Sequence, residues 1–390
     1  MRVHCAACGA DFEQQALESA SSAVCPDCGR DVATVHTTAQ LRPCSPERSG
    51  SPGSGSAERL MDRVSERISR AAGVQKLQGF SLRETFSEVF TRHTDAEVER
   101  YFAVGGPDTT PSLGQIDVRW PKPWVFFRMF LLAVAAYVVF FQAWDQWRNL
   151  NLLPGLIFVG SFAIPFSTLV LFFEMNVRRN VSLFQVGRLV VLGGILGIVL
   201  SLLMYQLAFD FHMQWLGASV AGLVEEPGKL LALALVINKR RYRGILNGLL
   251  FGAAVGTGFA AFESAGYALR TALASGTTVM GDVIVSRGLL APFGHIVWTG
   301  MCGAALWRVK GGEPFHFEML KDPRFLRIFA AAVVLHMLWD SPLQLPFFGT
   351  YLILGFIAWI IVLGLVQEGL GELRDRQAQL LTGAASAAQD

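Results

Sequence analysis

The chain has 390 residues, of which 52% are hydrophobic and 16% are charged, and its formal net charge at pH 7 is only +2. A charge balance this close to neutral gives no footprint for nucleic-acid binding. The apolar residues are unevenly distributed, because residues 1–120 are mainly polar whereas residues 123–367 are apolar segments joined by short polar loops. A helix needs about 20 apolar residues to cross a bilayer. The sequence therefore predicts an all-α polytopic membrane protein with about eight transmembrane helices and a small N-terminal module.

The N-terminal module, residues 1–36, carries two C-x2-C pairs, each followed by glycine: Cys5 with Cys8, and Cys25 with Cys28. Two such pairs predict a closed tetrahedral zinc site of structural type, similar to a zinc ribbon. Free thiolates need a reducing compartment, so the pairs also favour a cytosolic N-terminus. The alternative is a loop with unpaired or disulfide-bonded cysteines.

Two soluble segments follow this module. Residues 37–57 are rich in Ser, Pro, Gly and Thr, which is typical of a flexible linker. Residues 58–122 form a predicted soluble helical segment, and its first helix either lies on the membrane surface or packs on the protein. Residues 1–20 lack a basic segment followed by an apolar one, so we expect the first transmembrane helix to act as the insertion signal.

Residues 123–367 form the predicted transmembrane domain, and 368–390 a cytosolic tail. The eight predicted spans are 123–144, 152–173, 184–207, 215–238, 244–269, 283–307, 325–341 and 347–367. With the N-terminus inside, eleven Lys and Arg residues flank the spans on the inner side and three, Arg148, Arg270 and Arg287, on the outer side. This asymmetry predicts a multi-pass cell-membrane protein with both termini in the cytosol.

The fifth predicted span carries glycine at every fourth position: Gly244, Gly248, Gly252 and Gly256. Small residues at this spacing let a second helix approach closely. The pattern therefore predicts tight helix packing at this span and assigns the glycines no chemical role.

Ionisable residues inside the predicted spans are the strongest functional signal. A charge at mid-membrane costs at least about 2.5 kcal/mol, so such residues usually have a function. Prolines and glycines interrupt the spans beside them, which is tolerated where a helix lines a water-filled cavity. We expect four spans to bring these side chains into one polar pocket: Glu225, Glu226, Lys229, Glu263, His295, His336 and Asp340.

Simpler interpretations exist for single members of this set. A lone intramembrane histidine can be a packing residue, and Glu225 with Lys229 can form an internal ion pair across one helical turn. The adjacent carboxylates of Glu225 and Glu226 are harder to explain this way, because like charges repel unless a cation or a proton lies between them.

Three short motifs resemble those of the PrsW-type intramembrane proteases, which are distantly akin to the CAAX prenyl endopeptidase and bacteriocin-processing membrane proteases. Glu225-Glu226-Pro-Gly-Lys229 fits E-E-x-x-K, Phe259-Ala-Ala-Phe-Glu263 fits F-x-x-x-E, and His336-Met-Leu-Trp-Asp340 fits H-x-x-x-D. His295, in Pro-Phe-Gly-His, also lies where the family has a histidine. The resemblance extends over about residues 123–367.

The resemblance implies an endopeptidase that cuts a membrane protein within or near the bilayer, in regulated proteolysis. A single-span protein such as an anti-sigma factor is one substrate type it suggests, and a cytosolic protein could bind the zinc-ribbon module. Outside the resemblance, residues 1–57 leave room for different regulation.

In the mechanism we expect, Glu226 or Glu225 acts as general base toward water. Glu263, His295, His336 and the other glutamate bind a divalent metal, with zinc the expected ion, or polarise the scissile carbonyl. Asp340 orients His336 or joins the metal ligands. The motif H-E-x-x-H is absent from the sequence, so a metal-free mechanism stays open.

Two other functional classes fit parts of the pattern. A buried Glu/His/Asp cluster also suits a proton- or ion-coupled transporter, but the charged motifs all lie between residues 225 and 340 with no paired repeat. The other class is a non-catalytic membrane scaffold that presents its zinc ribbon to a partner. A scaffold of this kind would keep its function when the intramembrane acids are replaced.

Overall fold

The computed structural model describes residues 2–4, 11–13, 22–24, 31–33, 56–106, 108–237, 242–343 and 345–387. The chain divides into two compact units, Met1–Gly55 and Ser56–Asp390. The boundary falls inside the predicted linker 37–57.

The first unit contains two short antiparallel hairpins. Strand β1 (Arg2–His4) pairs with β2 (Asp11–Glu13), and β3 (Ser22–Val24) pairs with β4 (Asp31–Ala33). Along the chain, each C-x2-C pair falls between the two strands of one hairpin. Cys5, Cys8, Cys25 and Cys28 lie outside the described residues, so the structural zinc site stays a prediction.

The second unit is helical in the part of the chain that the structure describes. Its helices are α1 (Ser56–Ala72), α2 (Leu82–Thr85), α3 (Asp95–Phe102), α4 (Val125–Trp147), α5 (Leu153–Met175), α6 (Leu183–Arg188), α7 (Gly194–Asp210), α8 (Val220–Val236), α9 (Ile245–Ser275), α10 (Thr277–Leu290), α11 (His295–Lys310), α12 (Pro323–Trp339) and α13 (Gly349–Ala387). One π-helical turn, Leu189–Gly193, joins α6 to α7. Helix α13 continues without a break past residue 367, where the sequence placed the start of a tail.

Six helical segments in the described residues are long and apolar enough to cross a membrane, so the predicted count of about eight is not confirmed. They are Val125–Trp147, Leu150–Met175, Leu183–Asp210, Ile245–Ser275, Thr277–Lys310 and Pro346–Leu381. The predicted fourth and seventh spans correspond to α8 and α12, which have 17 residues each. At 1.5 Å per residue each is about 26 Å long, slightly less than the roughly 30 Å hydrocarbon core.

The predicted sixth span, 283–307, is not one continuous helix. Helix α10 ends at Leu290, a 3-10 turn covers Ala291–Phe293, and α11 begins at His295 after Gly294 leaves the helical conformation. Pro292 and Gly294 thus interrupt the backbone just before His295, as the sequence predicted.

Helix α9 lies at the centre of the bundle, and its glycine face packs on α11. A β-carbon added at Gly248 or Gly252 would overlap backbone atoms of α11, and one at Gly256 would lie 2.5 Å from the His295 carbonyl oxygen. Gly244 does not share this contact. Three of the four predicted glycines therefore allow the close approach that places His295 beside α9.

The soluble helices dock on the end of the bundle where the chain passes from α5 to α6. Buried Ala72 and Val74, at and after the end of α1, belong to the main hydrophobic core, which favours the packed over the membrane-surface interpretation. The following segment hydrogen-bonds to α13, where the backbone N–H groups of Gln75 and Gln78 donate to the side chains of Glu368 and Gln367. At the start of α4, the buried Glu174 carboxylate accepts from the backbone N–H groups of residues 124–126.

We predict that Gly252→Ala destabilises the protein, whereas Gly266→Ala on the same helix does not. The added methyl at position 252 meets the Thr299 backbone, which cannot rotate away, so the cost is about 1–3 kcal/mol. Nothing lies within 4 Å of the same atom at position 266, where alanine gains up to about 1 kcal/mol of helix propensity. Thermal unfolding of both variants in the same detergent checks this, and equal midpoints would contradict the packing role.

Candidate active site

The seven predicted ionisable side chains lie together at one end of the bundle, which we call the site end. Helices α8 and α11 begin there and α12 ends there, so Glu225, His295 and His336 each lie within about two turns of a helix terminus. The opposite end holds Arg178, Arg179, Arg243 and the basic residues from Arg308 to Arg327, and we call it the basic end.

The Glu226–Lys229 ion pair forms the buried centre of the cluster. Lys229 Nζ donates to Glu226 Oε1 at 2.6 Å, and both side chains are 0% exposed. The same ammonium lies 4.5 Å from the centre of the Phe259 ring. This ion pair across one turn of α8 offsets the free-energy cost of burying either charge alone.

His295 links this pair to α9. Its Nδ1 lies 3.0 Å from Lys229 Nζ, and its Nε2 lies 3.1 Å from Glu263 Oε2. An ammonium has no acceptor, so Nδ1 must accept and Nε2–H must donate to Glu263. Glu263 thus sets the tautomer of His295 and leaves the Nδ1 lone pair directed at the centre of the cluster.

His336 lies among three carboxylates. Its Nδ1 lies 2.9 Å from Glu226 Oε1, and its Nε2 lies 3.2 Å from Asp340 Oδ2 and 3.7 Å from Glu225 Oε2. We assign the ring proton of the neutral form to Nδ1, as a donor to the fully buried Glu226. The Nε2 lone pair then faces Glu225 and Asp340.

Glu225 faces both histidines with a carboxylate oxygen that lacks a hydrogen bond. Its Oε2 is buried, accepts no hydrogen bond from the described residues, and lies 3.9 Å from both His295 Nδ1 and Lys229 Nζ. Glu225, His295 and His336 each offer a ligand atom, and all these atoms lie within 4.8 Å of one another. Because buried polar atoms normally form hydrogen bonds, an oxygen without one in this position indicates a place for a ligand.

The donor set fits a divalent transition metal, since imidazole and carboxylate are both ordinary zinc ligands. Lys229 opposes an ion at this position, because its ammonium already contacts His295 Nδ1. An ion on that nitrogen would have to displace the ammonium, which keeps Glu226 as a partner at 2.6 Å.

Glu263 was predicted as a metal ligand, but in the described residues it is not part of the closely spaced ligand group. It pairs instead with Arg287 of α10, whose Nε donates to Ser264 Oγ at 2.9 Å, and with His295. The Glu263 carboxylate contacts both the arginine and the histidine. It therefore orients His295 from a position outside the group of possible metal ligands.

Sequence reasoning missed three side chains of the site. Tyr205 donates to Glu225, Arg287 pairs with Glu263, and the Trp298 ring stacks on His336 with centroids 4.5 Å apart. Arg287 was used only as one of the outer-side positive charges in assigning the orientation. Tyr205 and Trp298 carried no signal, because aromatic residues are common in membrane helices and neither belongs to a spaced motif.

A cavity of about 940 Å³ lies elsewhere in the second unit. It is lined by residues between 75 and 124 with parts of α5 and α13, and none of the seven clustered residues contributes to it. Its walls carry similar numbers of acidic and basic side chains and no grouped metal ligands. The chemistry of the chain therefore points to the site end rather than to this larger space.

Comparison with known proteins agrees with this location. Residues 180–366 match the family model described as PrsW family intramembrane metalloprotease. This segment is similar to the PrsW family. The match covers 187 of 390 residues and includes all seven clustered residues, but not residues 1–179, which contain α1 to α5, or residues 367–390.

Neither the curated proteins nor the solved structures give a match to this chain. The PrsW match and the six apolar helices together support a multi-pass membrane protein similar to intramembrane proteases.

We predict that Lys229→Met lowers the stability of the protein by about 3–5 kcal/mol, because it leaves the buried Glu226 carboxylate without its cation. The matched control is Lys321→Met, which removes a lysine from an exposed pair with Glu318 and should change stability by less than about 1 kcal/mol. Unfolding followed by tryptophan fluorescence measures both variants. Equal losses for the two would contradict the buried ion pair.

Proposed function

We propose that the chain is an intramembrane endopeptidase that hydrolyses a peptide bond of a membrane protein at the site end. The observation that carries the proposal is the group of Glu225, His295 and His336, in which a buried carboxylate oxygen without a hydrogen bond faces two oriented histidines. The similarity of residues 180–366 to a family described as intramembrane metalloproteases supports the same reaction class.

In this proposal Glu225, His295 and His336 hold a zinc ion. When bound, zinc would polarise the scissile carbonyl and lower the pKa of a bound water. Zinc in catalytic sites commonly has three protein ligands and an open position, which agrees with the size of this group.

Two carboxylates orient the histidines. Glu226 accepts from His336 Nδ1, and Glu263 accepts from His295 Nε2, so each ring directs its opposite nitrogen to the centre of the cluster, where an ion would replace Lys229 on His295 Nδ1. Lys229 neutralises Glu226, and Arg287 neutralises Glu263. Each carboxylate–histidine contact thus has its own cation, which limits the charge left buried in the membrane.

We assign the general base to Asp340 rather than to Glu225 or Glu226. Glu226 is fully buried and Glu225 serves as a ligand, whereas the Asp340 side chain is 31% exposed and next to His336 Nε2. A base must reach the water from which it takes a proton. Asp340 is also the residue after the last turn of α12, where the helix gives way to a loop.

The position of the cluster at the helix ends supports a proposal for the substrate class. The site is within reach of a segment that enters or leaves the bilayer, so we propose a single-span membrane protein cut beside its span. Under the positive-inside rule the basic end faces the cytosol and the site end faces the opposite side. We further propose that the zinc-ribbon module binds a cytosolic protein that regulates cleavage, with an anti-sigma factor as one substrate type.

The proposed activity predicts cleavage that depends on Glu225. Membranes from cells that produce the wild type should contain new protein N-termini next to transmembrane spans, as mapped by mass spectrometry. Glu225→Gln should remove them, and Glu318→Gln, which changes an exposed carboxylate at the basic end, should retain them. The same N-termini at equal abundance with wild type and Glu225→Gln would overturn the proposal.

The ligand assignment predicts the metal content of full-length protein in which the four N-terminal cysteines are serine, a variant we call the four-serine protein. It should hold about one zinc per chain by elemental analysis. His295→Ala and His336→Ala should lose it, whereas Glu263→Gln should keep a site that is about 10–100-fold weaker, as expected of an orienting residue.

Asp340→Asn separates metal binding from proton transfer. It should retain zinc in the four-serine protein and lose about 10²–10⁴-fold in cleavage rate, the range typical of a general base. Loss of zinc in Asp340→Asn would instead make this aspartate a ligand, and full activity would remove it from the mechanism.

A further inference from the structure

Tyr205 contacts the proposed ligand Glu225 from a helix outside the recognised motifs. Its hydroxyl donates to Glu225 Oε1 at 3.1 Å, from the last two turns of α7. Among the described residues, Tyr205 is the hydrogen-bond donor to the Glu225 carboxylate, because Oε2 is buried without a hydrogen bond. The two oxygens of Glu225 are thus distinguished, with one on Tyr205 and the other toward the histidines.

The carboxylate needs such an anchor. Free rotation about the last side-chain bond would let either oxygen face the histidines or turn toward Lys229, whose Nζ lies 3.9 Å from Oε2. A hydrogen bond from a neutral hydroxyl fixes the plane of the group without neutralising its charge. A charged partner in the same place would compete with a metal ion for the carboxylate.

The backbone of α7 places the tyrosine. A π-helical turn at Leu189–Gly193 precedes α7, and each residue inserted into an α-helix rotates the following side chains by about 100°. Beyond this turn, Gly194 packs on Gly258 of α9, and the Ser201 backbone packs on Gly228 of α8. These contacts hold α7 against the helix that carries Glu225, so the direction of Tyr205 is fixed by packing.

We propose that Tyr205 is a positioning residue that holds Glu225 in its ligand orientation. The inference rests on the proposed zinc site. It assigns a function to the hydroxyl alone, since the aromatic ring can pack without it.

The test measures zinc affinity in the four-serine protein by competition with a chromophoric chelator. Tyr205→Phe keeps the ring and removes the hydroxyl, and it should bind zinc about 10–100-fold more weakly with an unchanged stoichiometry at saturation. Tyr137→Phe is the control, because it removes the hydroxyl of a tyrosine of α4 whose ring packs on Gly160 of α5, away from the cluster. It should bind zinc like the parent protein.

The outcomes separate this inference from the proposed function. Saturable binding in the parent protein with equal affinity in Tyr205→Phe overturns the positioning role and leaves the zinc site intact. Equal weakening in Tyr205→Phe and Tyr137→Phe also overturns it, because a general loss of packing would then explain both. A parent protein that binds no zinc overturns both the site and the role of Tyr205.

Discussion

The buried ion pair between Glu226 and Lys229 is the interaction on which the rest of the site depends. Two full charges with no exposure in a membrane bundle are stable only when each is paired and hydrogen-bonded. Here the lysine also contacts His295, and the glutamate also contacts His336. The pair therefore contacts histidines of two other helices. His295 in turn contacts Glu263, and His336 contacts Asp340.

Three helices have a terminus close to the clustered side chains. Helices α8 and α12 are short, and α11 starts at His295 after an interrupted segment. In the proposed reaction, water and a peptide would enter beside these termini. The glycine face of α9 has the complementary role, because it lets α11 approach closely enough for His295 to meet Glu263.

The sequence predicted much of this site because intramembrane charges are rare and their spacing on helices is regular. Glu225, Glu226 and Lys229 share one helix, and His336 with Asp340 share another, so each motif implied its own geometry. The role of Glu263 could not be predicted, because it depends on an ion pair with Arg287, and no sequence spacing links these two residues on different helices. Tyr205 was missed for a similar reason, since a π-helical turn decides which way it points and no residue pattern marks that turn. The count of about eight spans is not confirmed, because α8 and α12 have 17 residues each and are slightly shorter than the hydrocarbon core.

X-ray absorption at the zinc edge of the full-length four-serine protein tests the central claim most directly, that Glu225, His295 and His336 form one metal centre. We expect a first shell of nitrogen and oxygen only, with the outer-shell scattering of about two imidazole rings, and no zinc signal above background in His336→Ala. A protein without bound zinc, or a spectrum without imidazole scattering, would contradict the account.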